Sequence, residues 1–432
     1  MIGFYMPFGA KAGEVALDSL DRGNPGVGGT QYLFLLTVSR LNEMFGAATA
    51  HLYSDRVFAS SRASVPVSAA TSLGEAIRMA SAAGAEYLVI NARELVAANL
   101  GVLKGSDIPL VAWAHNTLPA EAVRIATECS SIARVACVSE SQWKSMSDSA
   151  CFDKCVVISN GLPDEFLRAS IATDYARPEA VYVGSIYPQK GLHNLLSIWR
   201  RVVSEVPDAR LSVIGGAQIW GPEVALGPMS IARPHYEATL TRRLRRLPTG
   251  DSVRFLGPMS WDEIGGHLEH VRVGIANPSR YLRDETFCMV AVELQSRGVP
   301  IVTRRRGDGL ETTVWDGVSG HLERGDRRIA ERLVSVLLDQ QHAQALGGAA
   351  RGHAASFRID SAVERWIGLL STPVFAGAHA RRSTFSRDSI LLAHDRMLKA
   401  GHHLTSGRFL SQFGLSRSAR ISTQLAQTPK SN

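Results

Sequence analysis

The sequence has 432 residues, of which 45% are hydrophobic and 20% are charged, and its formal net charge at pH 7 is +7. This length exceeds one ordinary domain and favours two domains of roughly 150–200 residues each, with an appendage. The composition excludes a largely disordered chain, and no apolar run approaches the ~20 residues needed to span a bilayer. The charge is unevenly placed, since residues 371–432 hold nine basic and two acidic residues and residues 1–370 are formally neutral.

Short apolar strands alternate with helical stretches in the first half of the chain. The predicted strands are 2–8, 47–53, 86–91, 109–114, 134–138 and 155–159. The predicted helices are 31–45, 72–83 and 120–129. Strands that alternate with helices of roughly 10–15 residues indicate a parallel sheet covered on both faces.

The same alternation restarts after a polar stretch at 169–178. The predicted strands are 180–184, 210–215, 252–256, 271–277 and 300–303. The predicted helices are 192–206, 236–247, 261–268 and 288–298, followed by helices within 327–370. The predicted fold is therefore α/β: two doubly wound, Rossmann-like parallel-sheet domains at 1–172 and 173–370, with a basic tail at 371–432. Ligands bind at the carboxyl ends of strands in such sheets, so two such edges facing each other form a deep cleft.

Two segments fall outside this alternation. Residues 217–233 are rich in Gly and Pro and are predicted to form a long loop, or lid. Within the tail, residues 388–399 are predicted to form a helix and 408–415 a short apolar cluster. The basic tail is predicted to hold the protein against an anionic membrane surface, because each basic residue there contributes about 1 kcal/mol. The alternative is a tail whose arginines merely face water.

The termini and cysteines indicate a cytoplasmic protein, peripheral on the inner face of the membrane if the tail binds there. The first residues have no basic leader of a signal peptide and are expected to form a strand. The five cysteines are scattered and odd in number, as expected of reduced thiols. Cys151 and Cys155 lack a second Cys/His pair at zinc-ligand spacing, which disfavours a metal site.

The strongest chemical pattern runs from Glu285 to Glu293. A loop carboxylate precedes a helix whose free N–H groups are expected near Phe287, and a second carboxylate follows one to two turns later. A helix N-terminus favours an anion such as a diphosphate, and carboxylates accept hydrogen bonds from vicinal hydroxyls. The spacing thus suits a nucleotide-sugar. The alternative is an ordinary helix with an exposed glutamate near its start.

Further motifs surround this pair in the sequence. Gly184 to Gly191 follows a strand and opens a helix, so Lys190 is placed where a phosphate could be met. The remaining motifs of the second half are Pro278-Ser279, Gly298-Val299-Pro300, Gly309-Leu310-Glu311 and Asp316-Gly317 with Gly320.

In order and spacing, residues 181–322 resemble the retaining glycosyltransferases of the GT-B architecture, family 4 (group 1 glycosyltransferases). The first half resembles that family more loosely, and together the resemblance covers residues 1–370. Its motifs in the first half are Gly28-Gly29-Thr30, Ala114-His115-Asn116, Val138-Ser139-Glu140 and Ser159-Asn160-Gly161.

The resemblance implies a role for each matched residue. Glu293 would bind the nucleotide ribose, and Glu285 with the backbone of Phe287, Cys288 and Met289 would hold the transferred sugar and the diphosphate. Lys190, in the loop that begins at Gly184 and Ser185, would neutralise the leaving group. His115 would lie across the cleft beside the sugar, and the Gly28-Gly29 turn would let backbone approach the donor phosphate. Catalysis would thus depend on His115, Glu285 and Lys190.

Two positions depart from the family pattern. The usual arginine beside the first glycine is Ser185, so either a nearby residue such as Arg283 substitutes or donor binding is weaker. The usual glycine after Phe287 is Cys288, a bulkier residue where backbone meets phosphate.

The resemblance implies transfer of a sugar from a nucleotide-diphosphate-sugar to a hydroxyl of a glycan or lipid-linked acceptor, with retention, in polysaccharide or glycolipid synthesis. The nucleotide-sugar is a substrate rather than a cofactor. No Asp-x-Asp tripeptide occurs, so a metal-clamped donor is not expected and no metal is predicted. Transition-state charge would then be met by preorganised dipoles and Lys190.

Three other functions compete with this one. A sugar-nucleotide epimerase or a phosphorylase would use the same fold. A dinucleotide-dependent oxidoreductase is suggested by the glycines of 23–29, but that stretch lies too far beyond the first strand and contains a proline. A nucleic-acid partner for the tail is disfavoured, since the tail contains no recognisable binding module.

Overall fold

The computed structural model describes residues 1–9, 17–56, 58, 64–168, 174–217, 225–280 and 285–370. The parts of the chain outside the described residues include Arg283, the first half of the polar stretch at 169–173, the centre of the predicted lid at 218–224, and the whole basic tail. The tail's predicted helix and membrane contact therefore stay predictions, as does the lid.

The first half builds one parallel sheet with its covering helices. Its strands are β1 (Ile2–Tyr5), β2 (Ala50–Ser54), β3 (Val67–Ala69), β4 (Tyr87–Asn91), β5 (Leu110–Ala114), β6 (Ile132–Cys137) and β7 (Cys155–Val157). Its helices are α1 (Gly29–Phe45), α2 (Leu73–Ala82), α3 (Glu94–Ala97), α4 (Leu100–Lys104), α5 (Ala120–Glu128), α6 (Glu140–Ser145) and α7 (Asp164–Arg168), with 3-10 turns at Leu17–Arg22 and Phe152–Lys154.

The second half repeats the architecture with a smaller sheet. Its strands are β8 (Glu179–Val183), β9 (Arg210–Ile214), β10 (Val253–Gly257), β11 (Val271–Ile275), β12 (Ile301–Arg304) and β13 (Gly320–Glu323). Its helices are α8 (Leu192–Glu205), α9 (Pro234–Leu244), α10 (Trp261–His267), α11 (Met289–Ser296), α12 (Leu310–Thr313), α13 (Asp326–Leu338), α14 (Gln340–Ala354) and α15 (Ile359–Leu370). Single 3-10 turns lie at Pro188–Lys190, Gly250–Ser252 and Ala355–Phe357.

Both sheets are parallel and doubly wound. The strand order is β3-β2-β1-β4-β5-β6-β7 in the first and β10-β9-β8-β11-β12-β13 in the second. The chain reverses its direction of travel across each sheet between two neighbouring strands, β1 and β4 in the first and β8 and β11 in the second. Such switch points open a crevice at the carboxyl ends of the strands. The predicted α/β fold of two doubly wound domains is confirmed.

Local sequence explains most of these elements. The buried residues of α8 recur with helical periodicity, which places one apolar stripe on the sheet. Ser72 and Ser260 cap α2 and α10 by accepting backbone N–H bonds. The short strands β3 and β13 were not predicted, because β3 has only three partly exposed residues and β13 follows a tight turn.

The last helix, α15, packs against the first sheet although it follows the second. Trp366 is 1% exposed, and its ring makes edge contacts with Phe4 at 5.9 Å and Trp113 at 5.1 Å. Arg40 of α1 donates from Nε to Asp360 Oδ1 at 2.6 Å. The predicted domain boundaries at 172 and 370 stay predictions, but the chain between them crosses back before it reaches 370.

Two further findings concern the described residues. All five cysteines are buried and free of disulfides. Within the described ranges, no helix combines the length and the apolar character needed to cross a membrane.

Trp366→Ala should lower the stability of the first domain by about 3–5 kcal/mol, because it removes a fully buried ring from the core and leaves a cavity. The measurement is urea unfolding followed by tryptophan fluorescence and circular dichroism. The matched control is Trp315→Ala, since Trp315 is 60% exposed. Equal losses of stability in the two variants would contradict the packing of α15 against the first domain.

Candidate functional site

The loops that follow β8 and β11 meet at the switch point of the second sheet. The first loop runs from Gly184 to Lys190 and the second leaves β11 through Asn277. Gly191 lies in the left-handed region with φ 76°, and a Cβ on it would lie 2.4 Å from Ser279 N. Only glycine allows this approach. The contact between the loops sets Lys190 beside the segment that contains Glu285.

Lys190 and Glu285 form an ion pair in the cleft. Lys190 Nζ donates to Glu285 Oε2 at 2.8 Å, and Asn277 Nδ2 donates to the same oxygen at 2.7 Å. The Glu285 side chain is 13% exposed and that of Lys190 40%. Both contacts use one carboxylate oxygen, so among the described contacts Oε1 remains available to a ligand.

Electrostatics keep both partners charged. Burial alone would raise the pKa of Glu285, but the charge and hydrogen bond of Lys190, with Asn277 and Arg306, hold that pKa below its ordinary value. Burial likewise opposes the ammonium of Lys190, and Glu285 outweighs it, so the pKa of Lys190 is raised. The pair is therefore ionised at neutral pH.

A buried arginine that the sequence analysis missed lies beside this pair. Arg306 Nε donates to Asp308 Oδ2 at 2.8 Å, and its Nη1 donates to the backbone oxygens of Asn277 and Ser279 at 3.2 and 3.1 Å. Its Nη2 is buried and has no acceptor among the described residues. The run of three arginines at 304–306, which begins with the last residue of β12 at the carboxyl edge of the sheet, was the signal that could have identified it.

Asp308 completes the charge cluster. Burial raises its pKa to about 6, against the opposing effect of Arg306. The following residue, Gly309, donates from its N–H to Glu285 O at 2.6 Å, and a Cβ on Gly309 would lie 2.3 Å from Thr286 C. The loop after β12 is thus packed directly on the loop that contains Glu285.

Thr286 joins the two halves of the protein. Its Oγ1 donates to His115 O at 2.6 Å, and its own carbonyl accepts from Ser139 Oγ at 2.6 Å. The next residue, Phe287, is buried in the hydrophobic cluster of the first domain, 5.3 Å from the ring of Phe357. Two motifs predicted from the first half therefore meet the segment predicted from the second.

The His115 side chain faces aromatic neighbours. Its ring lies 4.3 Å from Trp113 and 6.0 Å from Phe34, and its buried Nε2 has no hydrogen-bond partner among the described residues. Burial lowers the pKa of His115 to about 3, so the ring is neutral and a weak base.

Glu293 lies on α11, close enough to Tyr32 of α1 for its charge to affect that residue. It is 7% exposed, and burial raises its pKa to about 8. The pKa of Tyr32 on α1 is raised well above its ordinary value, first by burial and second by Glu293. The Gly28-Gly29 turn opens α1, and the space next to a Cβ on Gly29 is empty.

Helix α11 begins at Met289, one residue later than predicted, and Cys288 is its N-cap. Burial raises the pKa of the Cys288 thiol, which keeps it protonated. The backbone N–H groups of Cys288 and Met289 lie at the start of the helix, where N–H groups have no acceptor within the helix. Gly184 and Ser185 form the exit of β8, and the Gly184 N–H donates to Ile214 O at 3.0 Å.

Some matched motifs shape the fold instead of lining the cleft. Asp316 accepts a backbone N–H bond from Leu322 and pairs with Arg305, which fixes the turn before β13. Gly161 packs on Ile359, where a Cβ would lie 2.5 Å from Ile359 Cα, at the point where the chain crosses back. In the described part of the chain, no group of three or more His, Cys, Asp or Glu side chains is arranged to hold a metal ion.

The stability of Glu293→Gln relative to the wild type should increase as pH rises from 5 to 8. In this window the folded state keeps a proton that the unfolded state releases, so wild-type stability falls by up to about 1.4 kcal/mol per pH unit, whereas the amide has no such proton. The measurement is urea unfolding at several pH values. Glu364→Gln, at an exposed position, is the control. Parallel pH profiles for wild type and Glu293→Gln would refute the raised pKa.

Residues 163–353 match the family model described as glycosyl transferases group 1. The D-inositol 3-phosphate glycosyltransferase 2 of Catenulispora acidiphila is 34% identical over 179 residues, which is 41% of this chain and 39% of that relative. The corresponding enzyme of Geodermatophilus obscurus is 29% identical over 51% of this chain and 47% of its own length. The matches thus span less than half the length of these curated relatives.

Solved structures show the same fold over more of the chain. The Anabaena protein HepE, solved in complex with UDP, has a TM-score of 0.65 at 17% identity and covers 86% of this chain and 100% of its own. Sucrose-phosphate synthase from Thermosynechococcus elongatus has a TM-score of 0.63 at 15% identity, over 86% of this chain and 98% of its own. The chain therefore has the GT-B fold, and its residues 163–353 match the group 1 glycosyl transferases.

Proposed function

We propose that this protein transfers a sugar from a nucleoside-diphosphate sugar to a hydroxyl acceptor, with retention of anomeric configuration. The observation that carries the proposal is the cluster of Lys190, Glu285, Asn277 and Arg306 at the switch point of the second sheet, beside the start of α11. It combines cations for a diphosphate with carboxylate oxygens for sugar hydroxyls.

The leaving diphosphate would be stabilised by fixed charges. Lys190 is partly exposed, and the Nη2 of Arg306 is buried without an acceptor among the described residues. With the N–H groups at the start of α11, these donors face the negative charge that grows on the phosphate oxygen as the glycosidic bond breaks. Arg306 can also take the place of the arginine of the family pattern, which is Ser185 in this chain.

The two glutamates would bind the hydroxyl groups of the donor. Oε1 of Glu285 can accept from the transferred sugar, while its other oxygen stays with Lys190 and Asn277. Glu293, almost fully buried between α11 and α1, can bond to a ribose diol. Its protonated form also donates one hydrogen bond, which suits a hydroxyl oxygen.

The acceptor's proton would go to the leaving group. His115 is neutral with a pKa of about 3, and Glu285 is held by Lys190, so neither is a good base. If the acceptor oxygen attacks on the face that the diphosphate leaves, the departing phosphate oxygen is next to the acceptor proton and can take it. The new bond then forms on the same face as the broken one, which retains the configuration.

The comparisons support the donor side of this proposal. HepE has been solved with UDP and with UDP-glucose, and its fold superposes on 86% of this chain. The match to the group 1 family is confined to residues 163–353, which contain Lys190, Glu285 and Glu293.

For the acceptor we propose a glycan or a lipid-linked molecule. The support is the basic segment at 371–432, which would place the enzyme at the inner face of an anionic membrane, in polysaccharide or glycolipid synthesis. The relatives' names give D-inositol 3-phosphate as their acceptor. Their matches cover less than half of each relative, so acceptor choice is tested separately.

A panel of uridine- and guanosine-diphosphate sugars should include one that raises the melting temperature, since a ligand stabilises the state it binds. That donor should then yield a glycosylated acceptor by mass spectrometry. Glu293→Ala should weaken its binding by about 0.5–1.5 kcal/mol, the contribution of a hydrogen bond between neutral groups, whereas Glu364→Ala should not.

Two results would overturn the proposal. One is a panel without any stabilising nucleotide-sugar. The other is a bound donor that is only hydrolysed or epimerised when glycan and lipid-linked acceptors are supplied, which would favour an epimerase.

Transfer should persist in excess EDTA. The charge of the leaving group is met by Lys190, Arg306 and the start of α11, and the chain has no Asp-x-Asp tripeptide. The measurement is the initial rate with EDTA, with magnesium and with manganese. Complete loss that either metal restores would show that a cation shares the leaving-group chemistry.

A further inference from the structure

A second group of cations lies on the outer face of the second domain. A cavity of about 370 Å³ between α8 and the end of α9 is lined by four arginines and two serines: Arg200, Arg201, Arg243, Arg246, Ser197 and Ser204. Helix α8 starts just after Lys190 and runs away from the cleft. Arg200 lies eight residues beyond Leu192, the first residue of α8, or roughly 12 Å along the helix at 1.5 Å per residue. This cavity is therefore separate from the donor site.

The cavity holds more positive charge than its surroundings neutralise. Arg201 donates to Glu205 at 3.1 Å. Among the described residues, no carboxylate lies within ion-pair distance of Arg200, Arg243 or Arg246. The two serine hydroxyls donate to backbone carbonyls of α8, those of His193 at 3.2 Å and Arg200 at 3.0 Å. The guanidinium groups are thus the donors left for a ligand.

Arg243 is held in place at the base of this cavity. Its Nη1 donates to Ser197 Oγ, while its buried Nε has no acceptor among the described residues. Burial, then the neighbouring charges of Arg280, Arg246 and Arg242, lowers the pKa of Arg243. A partly buried cation surrounded by like charges is unfavourable alone, and an anion would relieve both the repulsion and the missing hydrogen bond.

We propose that this cavity binds a phosphate group of an anionic ligand other than the sugar donor. Guanidinium groups match phosphate in geometry, since their planar fork can donate two parallel bonds to its oxygens. The volume falls at the lower end of small-ligand sites, which span roughly 300–1,000 Å³. It can hold the phosphate together with a small organic group. No aromatic side chain lines the cavity, so base stacking, as in single-stranded nucleic-acid sites, is not provided.

The test is isothermal titration of the full-length chain with inorganic tripolyphosphate. All proteins carry Lys190→Met, so that the cleft contributes less to the signal. We expect the double variant R200Q/R246Q to lose at least tenfold in affinity. The control R124Q/R327Q removes the same charge from exposed arginines on α5 and α13, and should stay within about twofold. R246Q alone should show an intermediate loss of affinity, so the proposal can be tested even if the double variant does not fold.

Vesicles separate the two sources of the phosphate. Affinity for phosphatidylcholine vesicles that contain phosphatidic acid, at least tenfold weaker in R200Q/R246Q than in R124Q/R327Q, would identify a lipid headgroup; any binding through the basic tail at 371–432 is common to both variants and cancels in this comparison. Pair-dependent binding of tripolyphosphate without pair-dependent vesicle binding would identify a free phosphate compound. Absence of both, or equal loss in the two double variants, would overturn the proposal and leave an ordinary solvated basic face. Because donor binding is measured separately, either proposal can fail alone.

Discussion

The cleft depends on balancing charges that are removed from water. Lys190 and Arg306 are opposed by Glu285 and Asp308 within one contiguous network. Removing ions from water costs several kcal/mol each unless they are paired and hydrogen-bonded. Here the pairing is supplied by three separate loops, after β8, β11 and β12, so the network exists only when all three strand ends are in place.

The balance also leaves capacity for a ligand. Lys190 is still partly exposed, and Arg306 has an unused donor. A diphosphate entering this space would meet the exposed part of the Lys190 ammonium and the N–H groups at the start of α11. The ionised state of Glu285 follows from the same arrangement, whereas burial raises the pKa of Glu293, which has no ion pair among the described residues. Two glutamates eight residues apart thus have opposite charge states at neutral pH.

The two domains are connected at more than the linker between them. Thr286 bonds to the backbone of His115 and to the Ser139 hydroxyl, while α15 returns to pack Trp366 into the first core. A change in the loop around Glu285 therefore alters contacts in both halves. The outer arginine cavity lies on α8, whose beginning adjoins Lys190, so one helix extends from the donor site toward the proposed phosphate site.

Apolar periodicity and the alternation of elements are local properties, so the sequence alone predicts most of the strands and the longer helices in their order, but not short elements such as β3 and β13. Its motifs also suggest Lys190, Glu285 and Glu293 as donor-site residues, which stays a prediction. It did not reveal Arg306, Asn277 or Asp308 as their partners, nor the return of α15 to the first sheet. Those contacts join residues far apart in the chain. Only the winding of the second sheet, which brings the carboxyl ends of β8, β11 and β12 to one edge, decided which charges meet.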